Sequence, residues 1–236
     1  ALELGADVTR RNLDYSGTAP AGASPLMTME ASAIFLPSVL VEVLPVAGLV
    51  PEPFAGLGAF AGYRRSIGFK VKDPTQSHSA ELGRLSAGAL WRLPPLTQLR
   101  LVFTPEISYE RRDMTVSGGG IAGLPDSHLR GVKAGSALFA PLTPRYALLL
   151  DAGYVVWTSS KDLIGGDVRF FPSGNASAFE LDAGLSAALF GRYSARFVAE
   201  YSSTSYSLDA DPTSTYRASG ATDRYVGVRA TIRADF

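Results

Sequence analysis

Two short stretches hold the residues best suited to hydrolytic chemistry. QSHSAE brings Ser77, His78, Ser79 and Glu81 together, and PDSHLR brings Asp126, Ser127 and His128 together. A serine nucleophile needs a histidine base, and a carboxylate to orient that base, converging on one point. Neighbours in an extended chain do not converge, because successive side chains leave opposite faces. Both stretches read as loop ends. The chain has no Cys and two His, which excludes disulfides, thiolate nucleophiles, thiolate metal sites and His-rich metal sites. VSGGGIAG, residues 116–123, has the glycine content of a phosphate loop, but no helix follows to supply N–H groups. It reads as a flexible loop. The expectation is a protein without catalytic site, metal or cofactor.

What remains is charge placed at every second position. The chain ends DRYVGVRATIRADF. Val226, Val228, Ala230, Ile232, Ala234 and Phe236 share one parity, and Tyr225, Gly227, Arg229, Thr231, Arg233 and Asp235 share the other. In a strand these are two faces, one apolar and one charged. LRLVFTPEISYER repeats the pattern, with Leu99, Leu101, Phe103, Ile107 and Tyr109 set against Arg100, Thr104, Glu106, Ser108 and Glu110. RYALLLDAGYVVW and AFELDAGLSAALF do the same around Asp151, Glu180 and Asp182. These runs reach about ten residues or more, the length a tilted strand needs to cross a bilayer, whereas strands of globular proteins are nearer five or six.

The connections differ in length. PPLTQ at 94–98, PLTPR at 141–145 and GRYS at 191–194 are short. The joins after residues 114, 158 and 206 are long and polar. Short and long joins in turn send every long loop to one end, an asymmetry that a soluble β-sandwich has no reason to keep. The pattern predicts one all-β domain over 1–236, with strands at 2–16, 25–37 (running as far as 44), 54–72, 78–93, 97–117, 127–141, 144–160, 176–191, 193–209 and 222–236. Residues 33–50, AIFLPSVLVEVLPVAGLV, have the length of a membrane helix. Pro37, Glu42, Pro45 and the β-branched content favour strand. The N-terminus lacks the basic-then-apolar profile of a signal peptide and reads as that of a mature form. The 22 basic residues balance the 22 acidic ones, so nothing points to a nucleic-acid partner.

The alternating strands, the asymmetric loops and the terminal Phe236 resemble bacterial outer-membrane β-barrel proteins of the small OmpX/OmpW-like kind. The resemblance covers the whole chain as a pattern. It implies a transmembrane antiparallel up-and-down barrel of about ten strands, with eight or twelve as alternatives, in the bacterial outer membrane with both termini periplasmic. In that family a C-terminal aromatic on an alternating strand resembles the signal read by the barrel-assembly machinery. Ile232, Ala234 and Phe236 match it, with Ala234 smaller than is usual. Protease and lipid A deacylase barrels share the architecture and set His beside acidic or Ser partners near the outer rim. Their His-plus-acid motifs are not found here.

If the apolar parity faces lipid, the other lines the lumen. It holds Glu3, Asp7, Arg11, Glu30, Arg84, Arg92, Arg100, Glu106, Glu110, Lys133, Asp151, Glu180, Asp182, Arg196, Glu200, Arg229 and Arg233. So narrow a barrel has little free bore, and its charges must pair. Arg10, Arg65, Arg111, Arg130 and Arg224 fall on lipid-facing parity near the long loops. Ile67, Phe69 and Val71 continue the face of Arg65 outward. These arginines suit a girdle on lipopolysaccharide phosphates, or ordinary snorkelling at the interface. The function expected is that of a structural or interaction protein, an adhesin or the anchor of an envelope complex, acting through its loops with lipid, lipopolysaccharide and envelope proteins as partners. A small channel with a charged lumen is the alternative, and a surface lipid-modifying enzyme or protease comes third.

Overall fold

A computed structural model of the chain describes residues 1–17, 29–45, 49–51, 53–72, 77–96, 100–117, 126–161, 171, 173–209 and 218–236. Its strand segments are β1 (Leu2–Ser16), β2 (Met29–Val43), β3 (Leu57–Arg65), β4 (Phe69–Lys72), β5 (Ser77–Trp91), β6 (Val102–Val116), β7 (Ser127–Pro141), β8 (Tyr146–Lys161), β9 (Ser173–Ala188), β10 (Tyr193–Asp209) and β11 (Gly220–Ala234), with one helical turn at Phe54–Gly56. Apart from β3 and β4, which do not pair with each other, each strand pairs antiparallel with its sequence neighbours. β1 closes on β11, from Leu2 opposite Ala234 to Ser16 opposite Gly220. The last strand therefore completes the wall and leaves no sheet edge there. β3 and β4 lie end to end along β5, so the eleven segments make a ten-stranded barrel.

The break between β3 and β4 is a bulge. Arg65 stands opposite Gly83 and Phe69 opposite Ala80, four steps on one strand against three on the other. Gly68 takes φ +61°, a left-handed conformation open to glycine. The Ser66 hydroxyl accepts the Leu82 N–H at 2.8 Å. One extra residue reverses the facing of everything beyond it. Phe69 and Val71 therefore turn inward instead of continuing the outer face, and Val71 is buried. A second irregularity separates β1 from the start of β2, between Thr9 and Arg11, with Ala33 at φ +58°. It moves Glu30 from the predicted lumen to the outside, where it pairs with Arg10. Arg100 also leaves the lumen. It sits exposed just ahead of β6, at φ +54°, where no pleat directs it inward. Residues 33–43 belong to β2, and among the described residues no helix is long and apolar enough to cross a membrane.

The outer face carries an apolar belt. Leu4, Val8, Phe35, Val41, Ile107, Val132, Leu150, Val156, Leu181, Leu185, Val226 and Val228 are all exposed. Tyr63, Tyr109, Phe179 and Tyr201 border it toward the loops, and Phe103, Tyr146 and Phe190, with the half-buried Trp91, border it toward the short turns. From Tyr146 to Val156 a strand tilted by about 40° rises about 25 Å along the barrel axis. That matches the belt and aromatic girdles of a membrane barrel. Apart from the broken β3–β4, the strands run 15 to 17 residues, so they project past this belt at the loop end.

Candidate functional site: a charged chamber under an apolar plug

The interior has two tiers. In the loop-end half, most inward residues are apolar and tightly covered: Leu13, Met29, Ile34, Leu36, Val71, Leu82, Met114, Leu129, Val155, Phe171 and Leu208 belong to one cluster. Seven of them, Met29, Ile34, Val71, Leu82, Leu129, Val155 and Phe171, are at most 1% exposed. This half is a plug packed as a protein core is packed. In the turn-end half the inward residues are charged. They surround a chamber of about 940 Å³ lined from Ala1, Glu42 and Phe236 at one end to Trp157 and Tyr225 at the other. Phe236 is 79% exposed, which places the mouth of the chamber at the turn end.

Between the tiers lies a layer of guanidinium groups. Arg11 donates two hydrogen bonds of 2.8 Å to Asp223, and both side chains are almost fully buried. The Tyr225 hydroxyl donates to the same carboxylate at 3.2 Å. The Tyr225 ring is faced by Arg84 at 4.6 Å, Arg112 at 4.8 Å and Arg11 at 5.4 Å, a cation–π arrangement. Arg112 also reaches Glu180 at 2.9 Å and Ser202 at 3.2 Å.

Below this layer the charges pair across the bore. Arg64 bridges Asp7 at 3.0 Å and Glu200 at 2.9 Å, and Arg229 bridges Glu200 at 2.9 Å and Asp182 at 3.4 Å. Lys133 is shared by Glu106 at 3.0 Å, Asp151 at 3.1 Å and Glu180 at 3.6 Å. Nearer the mouth, Arg196 meets Glu3 at 3.0 Å, and Glu42 takes both Arg233, at 3.0 Å, and Arg92. Pairing of this kind is what makes so many charges tolerable in a narrow bore.

The structure therefore gathers Glu3, Asp7, Arg11, Arg84, Arg92, Glu106, Glu110, Lys133, Asp151, Glu180, Asp182, Arg196, Glu200, Arg229 and Arg233 inside, and leaves Glu30 and Arg100 out. Sequence reasoning missed Glu42, Arg64, Arg112 and Asp223. Arg112 shares its parity with Glu106 and Glu110, and Asp223 shares its parity with Arg229 and Arg233, so both were open to the same reasoning. Glu42 and Arg64 flank the irregular stretch, where parity could not be carried forward.

Arg10, Arg65, Arg111, Arg130 and Arg224 all face outward just above the belt. Four of them are neutralised locally: Arg10 by Glu30, Arg65 by Glu81 at 2.6 Å, Arg111 by Asp113 at 2.6 Å and Arg224 by Asp14 at 3.9 Å. Among the described residues Arg130 has no such carboxylate. His128 lies outward beside Asp113, with Nδ1 2.7 Å from Oδ1. Ser127 is buried on the opposite face, and Asp126 accepts the Val116 N–H at 2.8 Å. Asp126, Ser127 and His128 thus point three ways. His78 stands opposite Val71 on the inward parity of β5, two strands from His128.

Neither a protein-family model nor a curated protein sequence matches the chain. Among solved structures, the outer membrane protease OmpT from Escherichia coli is similar, with a TM-score of 0.51 at 7% identity over 99% of this chain and 95% of that one. A TodX deltaS2S3 mutant, described as a monoaromatic hydrocarbon channel, gives 0.36 at 9% identity over 100% and 90%. A Pseudomonas aeruginosa FadL homologue gives 0.37 at 10% over 98% and 89%. The first of these, with the apolar belt and the closed sheet, gives the chain the fold of an outer-membrane β-barrel. Fold alone carries no activity across.

Proposed function

We propose that this barrel is a structural or interaction protein of the outer membrane, an adhesin or the anchor of an envelope complex, and that its loops do the work. The observation that supports this most is the apolar plug. An ion passing from the charged chamber into the plug would lose its water and meet mainly close-packed apolar side chains, so the bore is poorly suited to conduction. The long strands instead hold the loops clear of the bilayer on a rigid frame. In this reading the loop end is extracellular, and the turn end, with both termini, is periplasmic.

Two contacts with the envelope accompany the proposal. Lipopolysaccharide phosphates would meet the rim arginines, Arg130 foremost, because the other four already share their charge with carboxylates. Lipopolysaccharide co-purification should fall in Arg130→Ala, and an unchanged yield would remove that contact. The exposed Phe236 at the turn end, with Ile232 outward and Ala234 covered, would serve the barrel-assembly machinery as its C-terminal signal.

Single-channel recording in a planar bilayer tests the main reading. Protein whose gel migration shifts on heating, and is therefore folded, should give a silent bilayer. Steady unitary currents that change in Glu106→Ala would replace the scaffold with a channel.

A further inference from the structure

Two side chains in the chamber lack the partner that their charge calls for. Lumenal charges are otherwise matched, so these two stand out. Among the described residues Arg84 has no carboxylate within ion-pair distance, and its guanidinium rests on the Tyr225 ring. Glu110 has no cation within that distance and is met instead by the Ser108 hydroxyl at 2.7 Å. Both line the chamber. They lie on adjacent strands: Arg84 stands opposite Arg112, and Glu110 opposite Ser86. That makes them diagonal neighbours, with backbones about 7–8 Å apart, yet they do not pair with each other.

A third group on the lining of the same chamber is also unsatisfied. The indole N–H of Trp157 is buried and has no acceptor, and Trp157 lies 5.5 Å from the same Arg112 guanidinium that faces Tyr225. A buried donor without an acceptor is expensive, and a bare charge more so. The inner end of the chamber therefore offers two donors that lack an anion and one carboxylate that lacks a cation, all on the lining of one cavity.

We propose that the chamber binds a small zwitterion of the α-amino-acid class entering from the turn end, its carboxylate toward Arg84 and the Trp157 indole and its ammonium toward Glu110. An ammonium and a carboxylate on one carbon satisfy all three groups at once. A simple anion would leave Glu110 bare, and a simple cation would leave Arg84 bare. The near-balance of acid and base along the rest of the lining admits a molecule with no net charge.

The test is a fluorescence titration of the full chain, folded in detergent. Trp91→Phe leaves Trp157 as the reporter at the site. L-Alanine should give a saturable change in emission. Propionate and ethylamine should each bind at least about tenfold more weakly, and Arg84→Gln and Glu110→Gln should each lose at least about tenfold for L-alanine, the effect of one charge-assisted hydrogen bond. If either variant loses its heat-dependent gel shift, Ser86→Phe takes its place, filling the space between the two groups while keeping both charges, and should abolish the response. No saturable change in the parent protein, equal affinity for propionate and L-alanine, or an unaltered titration in every folded variant would overturn the proposal.

Discussion

The guanidinium of Arg11 is buried among apolar groups and held by one carboxylate through two parallel bonds. Such a pair adds little net stability, since desolvation offsets the attraction, but removing one member leaves a naked charge. Arg11→Ala or Asp223→Ala should each lower the unfolding free energy by about 3–5 kcal/mol, measured by urea unfolding of the refolded barrel, while Arg11→Met with Asp223→Leu should recover most of it. Arg100→Ala, by contrast, should change it by no more than about 0.5 kcal/mol, as expected for an exposed position. At this scale the sequence was legible wherever a strand ran straight. Alternation alone put Glu106, Lys133, Glu180 and Arg229 on the lumen face. It failed at Glu30 and Arg100, because a bulge and a turn are local backbone choices that alternate polarity does not encode.

Elements show the same division. The ten strands and the alternation of short and long joins could be read from period and length, because a belt of lipid-facing apolar residues enforces strict alternation. The break between β3 and β4 could not. IGFK offered Gly68 as a hint, but a glycine in a strand marks a bulge or nothing at all. Among the described residues, the seam that this bulge leaves beside β2 is bridged by a single backbone bond, Ile67 N–H to Phe35 O at 3.2 Å. Amide hydrogen exchange over β4 should therefore run faster than over β9, which is paired on both sides from Ala176 to Ala187. Exchange as slow in β4 as in β9 would mean that the seam is closed. The belt makes its own prediction. Val228 faces lipid in mid-belt and Thr222 faces outward above it, so Val228→Arg should destabilise the inserted barrel by about 2–4 kcal/mol and Thr222→Arg by at most about 1 kcal/mol.

For the whole molecule, polar parity predicted a salt-bridged lumen throughout its length. The structure divides it into a dry half and a charged half. The division is visible in the sequence once inward residues are sorted by height: Leu82, Met114, Leu129 and Val155 toward the loops, and Glu3, Glu42, Arg196 and Arg233 toward the turns. Sorting by height needs the register, however, and the bulges set the register. The plug turns a conduit into a chamber with one mouth. It accounts for how a narrow barrel gathers so many charges at one end.

The absence of native Cys allows that division to be measured directly. Single cysteines at Leu82, Leu129 and Val155 in the plug, and at Ser86, Thr104 and Gly135 in the chamber, can be exposed to a small charged thiol reagent with the barrel inserted in lipid vesicles. The chamber positions should react readily and the plug positions should stay unmodified until the protein is unfolded. Rapid modification of Leu129→Cys and Val155→Cys in the folded, inserted protein would mean that water runs the length of the bore, and the account of a plugged, one-mouthed barrel would be wrong.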